Sequence, residues 1–383
     1  MKFTSTSDFG RLFHHPIRLR KVELRTYSTC VDAHSDVGSR VRQKRGLPCR
    51  FDLTHAYLRL QTQEGYEGWY GPLDLWSKVT PFTLSAALSR LGEITSIADA
   101  SAALGPIWPL YPTTCAAIDC ALWDLVSRAG GHPTWTMLTS PKKPAKFDPP
   151  LYGSCLGLDI EEVTVLLDVF SSGYRLAKWT LNANRSIEGQ VNRFQFLGAE
   201  CEFIAFDAHA GLSIDQVKTV QQLAPALAWL EDPFPSEDLS KWISAAYEGR
   251  EQIPLMVVGE DVFLPERLEE LIRLPSVHAL NLEVELLGIT RSVGLLTKLR
   301  DLGRVCHLHG RAIIPSSHLW RAFPDVVRWV ECHLAFASER LATVECAERA
   351  TDPREIASHC LSQEGMGVMP RTDLSGKVTD IPI

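Results

Sequence analysis

The chain has 383 residues, 45% hydrophobic and 22% charged, which leaves room for a large core and a smaller second domain in an ordinary globular composition. A formal net charge of -7 argues against the basic face that nucleic-acid binding requires. No membrane span is evident, the uncharged stretch 96–118 being broken by Asp99 and three prolines, and the opening MKFTSTSDFGRLFHHP lacks the apolar run of a signal peptide.

Taken along the chain, residues 15–30 and 50–62 alternate apolar and polar side chains and are predicted as paired antiparallel strands. The polar loop between them carries Arg40, Arg42, Lys44, Arg45 and Arg50. Helical periodicity follows at about 80–97 and 113–129, the second placing Ile118, Leu122 and Leu125 on one face. After SPKKPAKFDPP the pattern changes: LYGSCLG, YRLAKWTL, EFIAFD, LAWLED, LMVVGE, VHALNLEV, RVCHLHG and VRWVECHL are apolar runs of strand length, separated by stretches long enough for helices. Eight such units predict an α/β fold, a (β/α)₈ TIM-type barrel behind an N-terminal α+β module. The expected division is 1–140 for that module, 141–355 for the barrel and 356–383 for a tail packing back on the first module. Ten scattered cysteines without a C-x-x-C pair fit reduced, buried thiols in a cytoplasmic enzyme.

Asp207, Glu231 and Glu260 each end one of the apolar runs, at separations of 24 and 29 residues. A barrel of roughly 250 residues divided among eight units has about this repeat, so the three acids are expected on the C-terminal tips of consecutive strands. Oxygen-only ligands of this kind suit Mg²⁺. Lys178, 29 residues before Asp207, should end the preceding strand, where neighbouring ligands could lower its pKa enough to make it a base. His309, 49 residues after Glu260, belongs on the seventh strand across the mouth, with His307 and His318 as competitors. No glycine-rich nucleotide fingerprint is present.

These acids, together with AAIDCALWDL at 116–125, WLEDP at 229–233 and LGIT at 287–290, resemble the enolase superfamily in its mandelate-racemase-like branch, over about residues 20 to 370. The resemblance implies a capping domain over the open end of a modified barrel and a Mg²⁺ held by Asp207, Glu231 and Glu260. It further implies abstraction of the proton α to a substrate carboxylate. Lys178 falls on the second lysine of a family Lys-x-Lys, with Leu176 in place of the first. His309 matches a histidine that serves as base or acid on the opposite face; its usual aspartate helper would fall at Leu282, flanked by Asn281 and Glu283. His209, two residues after the first ligand, resembles the histidine that protonates the departing β-hydroxyl in acid-sugar (aldonate or aldarate) dehydratases. Glu331 matches a glutamate that hydrogen-bonds the substrate carboxylate as a neutral acid, and Arg45 lies in a basic loop expected to close over an anionic sugar acid. Asp232 and Asp261 are expected as supporting groups, Asp119 and Asp124 as structural ones. The function implied is elimination of water from a sugar acid, in a symmetric homo-oligomer. Two alternatives stay open: a racemase or epimerase using Lys178 and His309, and a catalytically weakened binding or regulatory member, suggested by Leu176 and Leu282.

Overall fold

The computed structural model describes residues 17–32, 50–74, 78–138, 148–157, 169–195, 203–224, 227–248, 255–257, 265–335, 337–345 and 352–383. Three N-terminal strands, β1 (Leu19–Asp32), β2 (Arg50–Thr62) and β3 (Glu67–Asp74), pair antiparallel. The first two were legible as alternating runs, whereas β3 carries Gly68, Gly71 and Pro72, residues that read as a turn. Proline is tolerated here because β3 is the sheet edge, where a lost donor breaks no ladder. Of the helix expected over 80–97 only Pro81–Leu88 forms, and a second short helix, Ile97–Leu104, begins where that range ends; each has a hydroxyl N-cap, Thr80 and Ser96. The helix Pro112–Ala129 is buried from Thr114 through Ser127.

Eight parallel strands then close into a barrel: β4 (Leu151–Gly157), β5 (Leu176–Thr180), β6 (Phe203–Asp207), β7 (Trp229–Glu231), β8 (Leu255–Val257), β9 (Val277–Glu283), β10 (Val305–His309) and β11 (Val327–His333). Every one falls within a run named from sequence. Side chains alternate across each strand. Leu176, Ala205, Trp229 and Ala279 pack with Tyr152 as an apolar floor inside the barrel, while Ala177, Trp179, Phe206, Leu230, Leu280 and Leu282 join the larger core outside it. Toward the C-terminal ends of six of these strands the inward residues are polar: Lys178, Asp207, Glu231, Glu283, His309 and Glu331. The alternation thus builds a dry base beneath a charged mouth.

The C-terminal strand β12 (Gly376–Ile381) pairs antiparallel with β1, completing the N-terminal sheet in the order β12, β1, β2, β3. We retain 1–140, 141–355 and 356–383 as a proposed division, although the helix Pro353–Cys360 runs across its second boundary. Contacts between module and barrel explain two sequence signatures. In ALWDL and its approach, buried Asp119 accepts from the Thr290 amide at 2.9 Å and from the Thr290 hydroxyl, and Trp123 Nε1 donates to Thr290 Oγ1 at 2.9 Å. Within LGIT, Gly288 has φ 65°, and a Cβ there would lie 2.6 Å from Asp119 Oδ2. Glycine is therefore required twice, by backbone and by contact.

Candidate active site

At the barrel mouth, the β5 strand places Lys178 inward, 5% exposed, and its Nζ hydrogen-bonds Glu231 Oε1. Asp207 Oδ2 is 3.6 Å and Glu331 Oε1 3.5 Å from the same nitrogen. Asp207 and Glu231 are register partners on adjacent strands, so one step around the barrel sets both carboxylates side by side. Glu231 is fully buried and its second oxygen accepts from Trp229 Nε1 at 2.9 Å. From across the mouth, His309 Nε2 approaches Glu331 Oε2 at 3.2 Å and Glu231 Oε1 at 3.7 Å. Lys178 and His309 therefore meet the same two glutamates.

The charge balance differs from the sequence expectation at two positions. Burial alone would lower the Lys178 pKa, but Glu231, Glu331, Tyr152 and Asp207 outweigh it and hold the value well above that of an ordinary lysine. That direction is opposite to the depression expected of a base. Burial likewise pushes Glu331 up, yet His309, Lys178, a Ser154 hydrogen bond and the Gly310 amide, 2.6 Å away, together bring it down to about 2. It is a carboxylate rather than the neutral acid the resemblance implied. For Glu231, burial raises the pKa while Lys178 opposes it.

His209 lies at the tip of β6 with its side chain 53% exposed; its amide donates to Asp207 Oδ1 at 3.0 Å and its Nδ1 is 3.3 Å from that oxygen. The backbone is strained at this rim: His209, Ala210 and Asp232 have φ of 43°, 59° and 38°. Three L-residues in the left-handed region, next to the proposed ligands, mark a locally over-determined conformation of the kind found at functional sites. The Ala210 amide bonding Asp232 O at 2.7 Å ties the two loops together.

Leu282 needs no catalytic reading. It pairs in register with Leu308 and packs in the core outside the barrel, whereas Glu283 pairs with His309 and places Oε2 4.0 Å from its Nδ1. The carboxylate beside the histidine is thus one residue later than the position the resemblance implied, on the inward face that alternation dictates. His307, on that inward face too but lower, is buried against Trp229, ring centroids 4.3 Å apart, and burial brings its pKa down to about 3. His318 sits in the helix Ile313–Ala322, its Nδ1 accepting from the Trp135 amide and its Nε2 facing Met366 O, both at 3.2 Å. That is a structural role. Sequence reasoning passed over Tyr152 and named Asn281 only as a flank of Leu282; both are buried polar side chains whose hydroxyl and amide atoms have no hydrogen-bond partner among the described residues. Their inward strand positions were the available signal. Glu260 and Arg45, like Asp261, lie outside the described residues.

The described donors fit a hard divalent cation by their chemistry: Asp207 and Glu231 are buried oxygen ligands already gathered around one positive charge. Among the described residues alone, no three His, Cys, Asp or Glu side chains are placed to hold a metal. Glu260 is the expected third ligand. No helix among the described residues is long and apolar enough to cross a membrane.

A closed parallel barrel with acids at its strand tips and an antiparallel capping sheet defines the enolase-type class of α/β proteins. Residues 163–369, more than half of the sequence, match the family model described as enolase C-terminal domain-like, and the chain belongs to that family. It is 23% identical over 356 residues to cis-3-hydroxy-L-proline dehydratase of Roseibium aggregatum, covering 85% of this chain and 90% of that one. A mandelate racemase/muconate lactonizing protein from Paracoccus denitrificans has the same fold, with TM-score 0.70, 17% identity and coverage of 96% and 99%. The same holds for L-talarate dehydratase from Polaromonas, solved with Mg and L-glucarate, with TM-score 0.68, 17% identity and coverage of 96% and 100%.

Proposed function

We propose that the protein is a Mg²⁺-dependent acid-sugar dehydratase that removes the proton α to a carboxylate and expels the β-hydroxyl to give a 2-keto-3-deoxy sugar acid. The observation that carries this reading is the convergence of Lys178 and His309, on different walls of the mouth, upon Glu231 and Glu331. Bound between Asp207, Glu231 and Glu260, Mg²⁺ would supply positive charge that eases both enolisation and loss of the Lys178 proton. One of Lys178 Nζ and His309 Nε2 accepts the α-proton, with Glu283 beside His309 Nδ1 favouring imidazolium formation. His209, exposed at the rim, delivers a proton to the leaving oxygen, so that C–O cleavage releases water rather than hydroxide. The resulting enol tautomerises to the keto acid. Two relatives named as dehydratases support elimination over other outcomes of the same first step.

A racemase or epimerase is the second reading, favoured by two proton carriers in one site. His209→Asn separates them. The expected variant loses at least about 100-fold in keto-acid formation, the usual scale for a positioned acid, yet still exchanges the α-hydrogen with deuterated water. Keto-acid formation at the wild-type rate would remove His209 from the reaction.

A further inference from the structure

Beside the catalytic layer, a second cluster meets the capping module. A cavity of about 20 Å³, room for about one water or one carboxylate oxygen, is lined by Arg311, His333, Arg340, the start of the helix Ile313–Ala322 and the β3 segment Tyr70–Pro72. Four features give it an anionic preference. The helix begins at Ala312 with no side-chain cap, so its positive end is open toward the cavity. Arg340 is 5% exposed and its Nε, buried, has no hydrogen-bond partner among the described residues. Its Nη2 is already committed, to Pro72 O at 3.1 Å and to Glu285 Oε1 at 3.3 Å, which offsets part of its charge. Arg311 and His333 add two further cationic or cation-capable groups. The placement after the seventh and eighth strands is where barrels of this kind commonly hold anions.

We propose that this cavity binds the distal carboxylate of a dicarboxylic substrate, which makes the protein selective for aldarates over aldonates. The inference rests on the dehydratase reading for the identity of the reacting end. His333 is two residues beyond Glu331 on β11, an advance of about 6.6 Å along a strand. A diacid whose α-carbon lies at His309 and Glu331 can thus reach the cavity with its other end, whereas a monoacid places a neutral hydroxymethyl there and leaves Arg340 Nε unpaired.

Calorimetric titration of the full chain with Mg²⁺ tests this, using 2-hydroxyadipate as the dicarboxylate and 2-hydroxyhexanoate as the monocarboxylate, six-carbon acids that keep the α-hydroxyl and have no β-hydroxyl to eliminate. The dicarboxylate is expected to bind at least tenfold more tightly. Arg340→Lys, which keeps a charge but loses the Nε donor, and His333→Gln, a milder change should the first misfold, are each expected to shrink that ratio below threefold while leaving 2-hydroxyhexanoate affinity unchanged. Equal affinities, no binding of either acid, or a ratio surviving both variants would each overturn the subsite. The two readings fail separately. Turnover of aldonates as fast as aldarates would remove the subsite and keep the dehydratase; dicarboxylate selectivity without keto-acid formation from any sugar acid would do the reverse.

Discussion

Lys178 is the residue on which the electrostatics of the mouth turns. Three carboxylates surround a side chain that is 5% exposed, so its ammonium does for them, without metal, part of what a divalent cation would do. Lys178→Met should therefore destabilise the metal-free protein by about 3–5 kcal/mol, the scale of breaking a buried charge pair. Added Mg²⁺ should recover much of that loss by binding the folded state. Melting in EDTA and in Mg²⁺ measures both, and an unchanged melting temperature in EDTA would contradict the arrangement. His318 gives the pH dependence. Burial lowers its pKa from 6.5 to about 4, against a smaller raising effect of Met366 O. The unfolded chain takes up the proton first, so this contribution to stability is complete above about pH 6.5 and is lost as pH falls toward 4, by up to about 3 kcal/mol. His318→Asn is expected to show a shallower decline of melting temperature between pH 7 and 5 than the parent. At this scale the sequence was readable where a residue ended a strand and misleading where the charge state depended on neighbours. Lys178, Asp207, Glu231 and His309 are brought together at the positions their spacing implied, but the proton on Lys178 and the charge on Glu331 are set by groups distant in the chain.

Strand alternation governs what was and was not legible at the level of elements. Eight apolar runs identified eight barrel strands, because a strand buried on both faces declares itself as an unbroken hydrophobic segment. The resemblance placed a helper for His309 at Leu282, whereas the carboxylate beside His309 is one residue on, and one residue on a strand exchanges the outer face for the inner. Glu283 is the consequence. The β3 strand was missed because its edge position tolerates residues that usually end strands. The same logic makes Gly288 and Asp119 a testable pair. Asp119→Ala leaves the half-buried Thr290 amide unsatisfied and should cost about 1–3 kcal/mol. Gly288→Ala meets both a positive φ and Asp119 Oδ2 at 2.6 Å, so it should cost at least as much, and chemical denaturation of the two variants should show a double-mutant coupling. Fully additive losses would mean that the glycine is not kept for this contact.

Across the whole molecule, capping module, barrel and tail are joined at buried carboxylates rather than by apolar packing alone. Asp124 accepts from the Trp69 amide at 2.8 Å, from Arg128 Nε at 2.6 Å and from the Met366 amide at 2.6 Å, linking β3, its own helix and the C-terminal segment. β12 adds the fourth strand of the capping sheet, so the two ends of the sequence share one sheet. Tyr70–Pro72 of that sheet line one cavity with Arg311 and Arg340 of the barrel, and Arg340 Nη2 donates to Pro72 O at 3.1 Å. Of the proposed reaction, the enolisation half rests on the resemblance carried by the strand-end acids, whereas the proposed dehydration rests on one rim histidine and on the proposed selectivity of the cap. The most direct measurement is a screen of the full chain with Mg²⁺ against mono- and dicarboxylic sugar acids, with cis-3-hydroxy-L-proline alongside, detecting 2-keto acids as semicarbazones. The account expects keto-acid formation from at least one aldarate, abolished by EDTA and restored by Mg²⁺. Loss of optical activity without any keto acid, or turnover indifferent to EDTA, would contradict it.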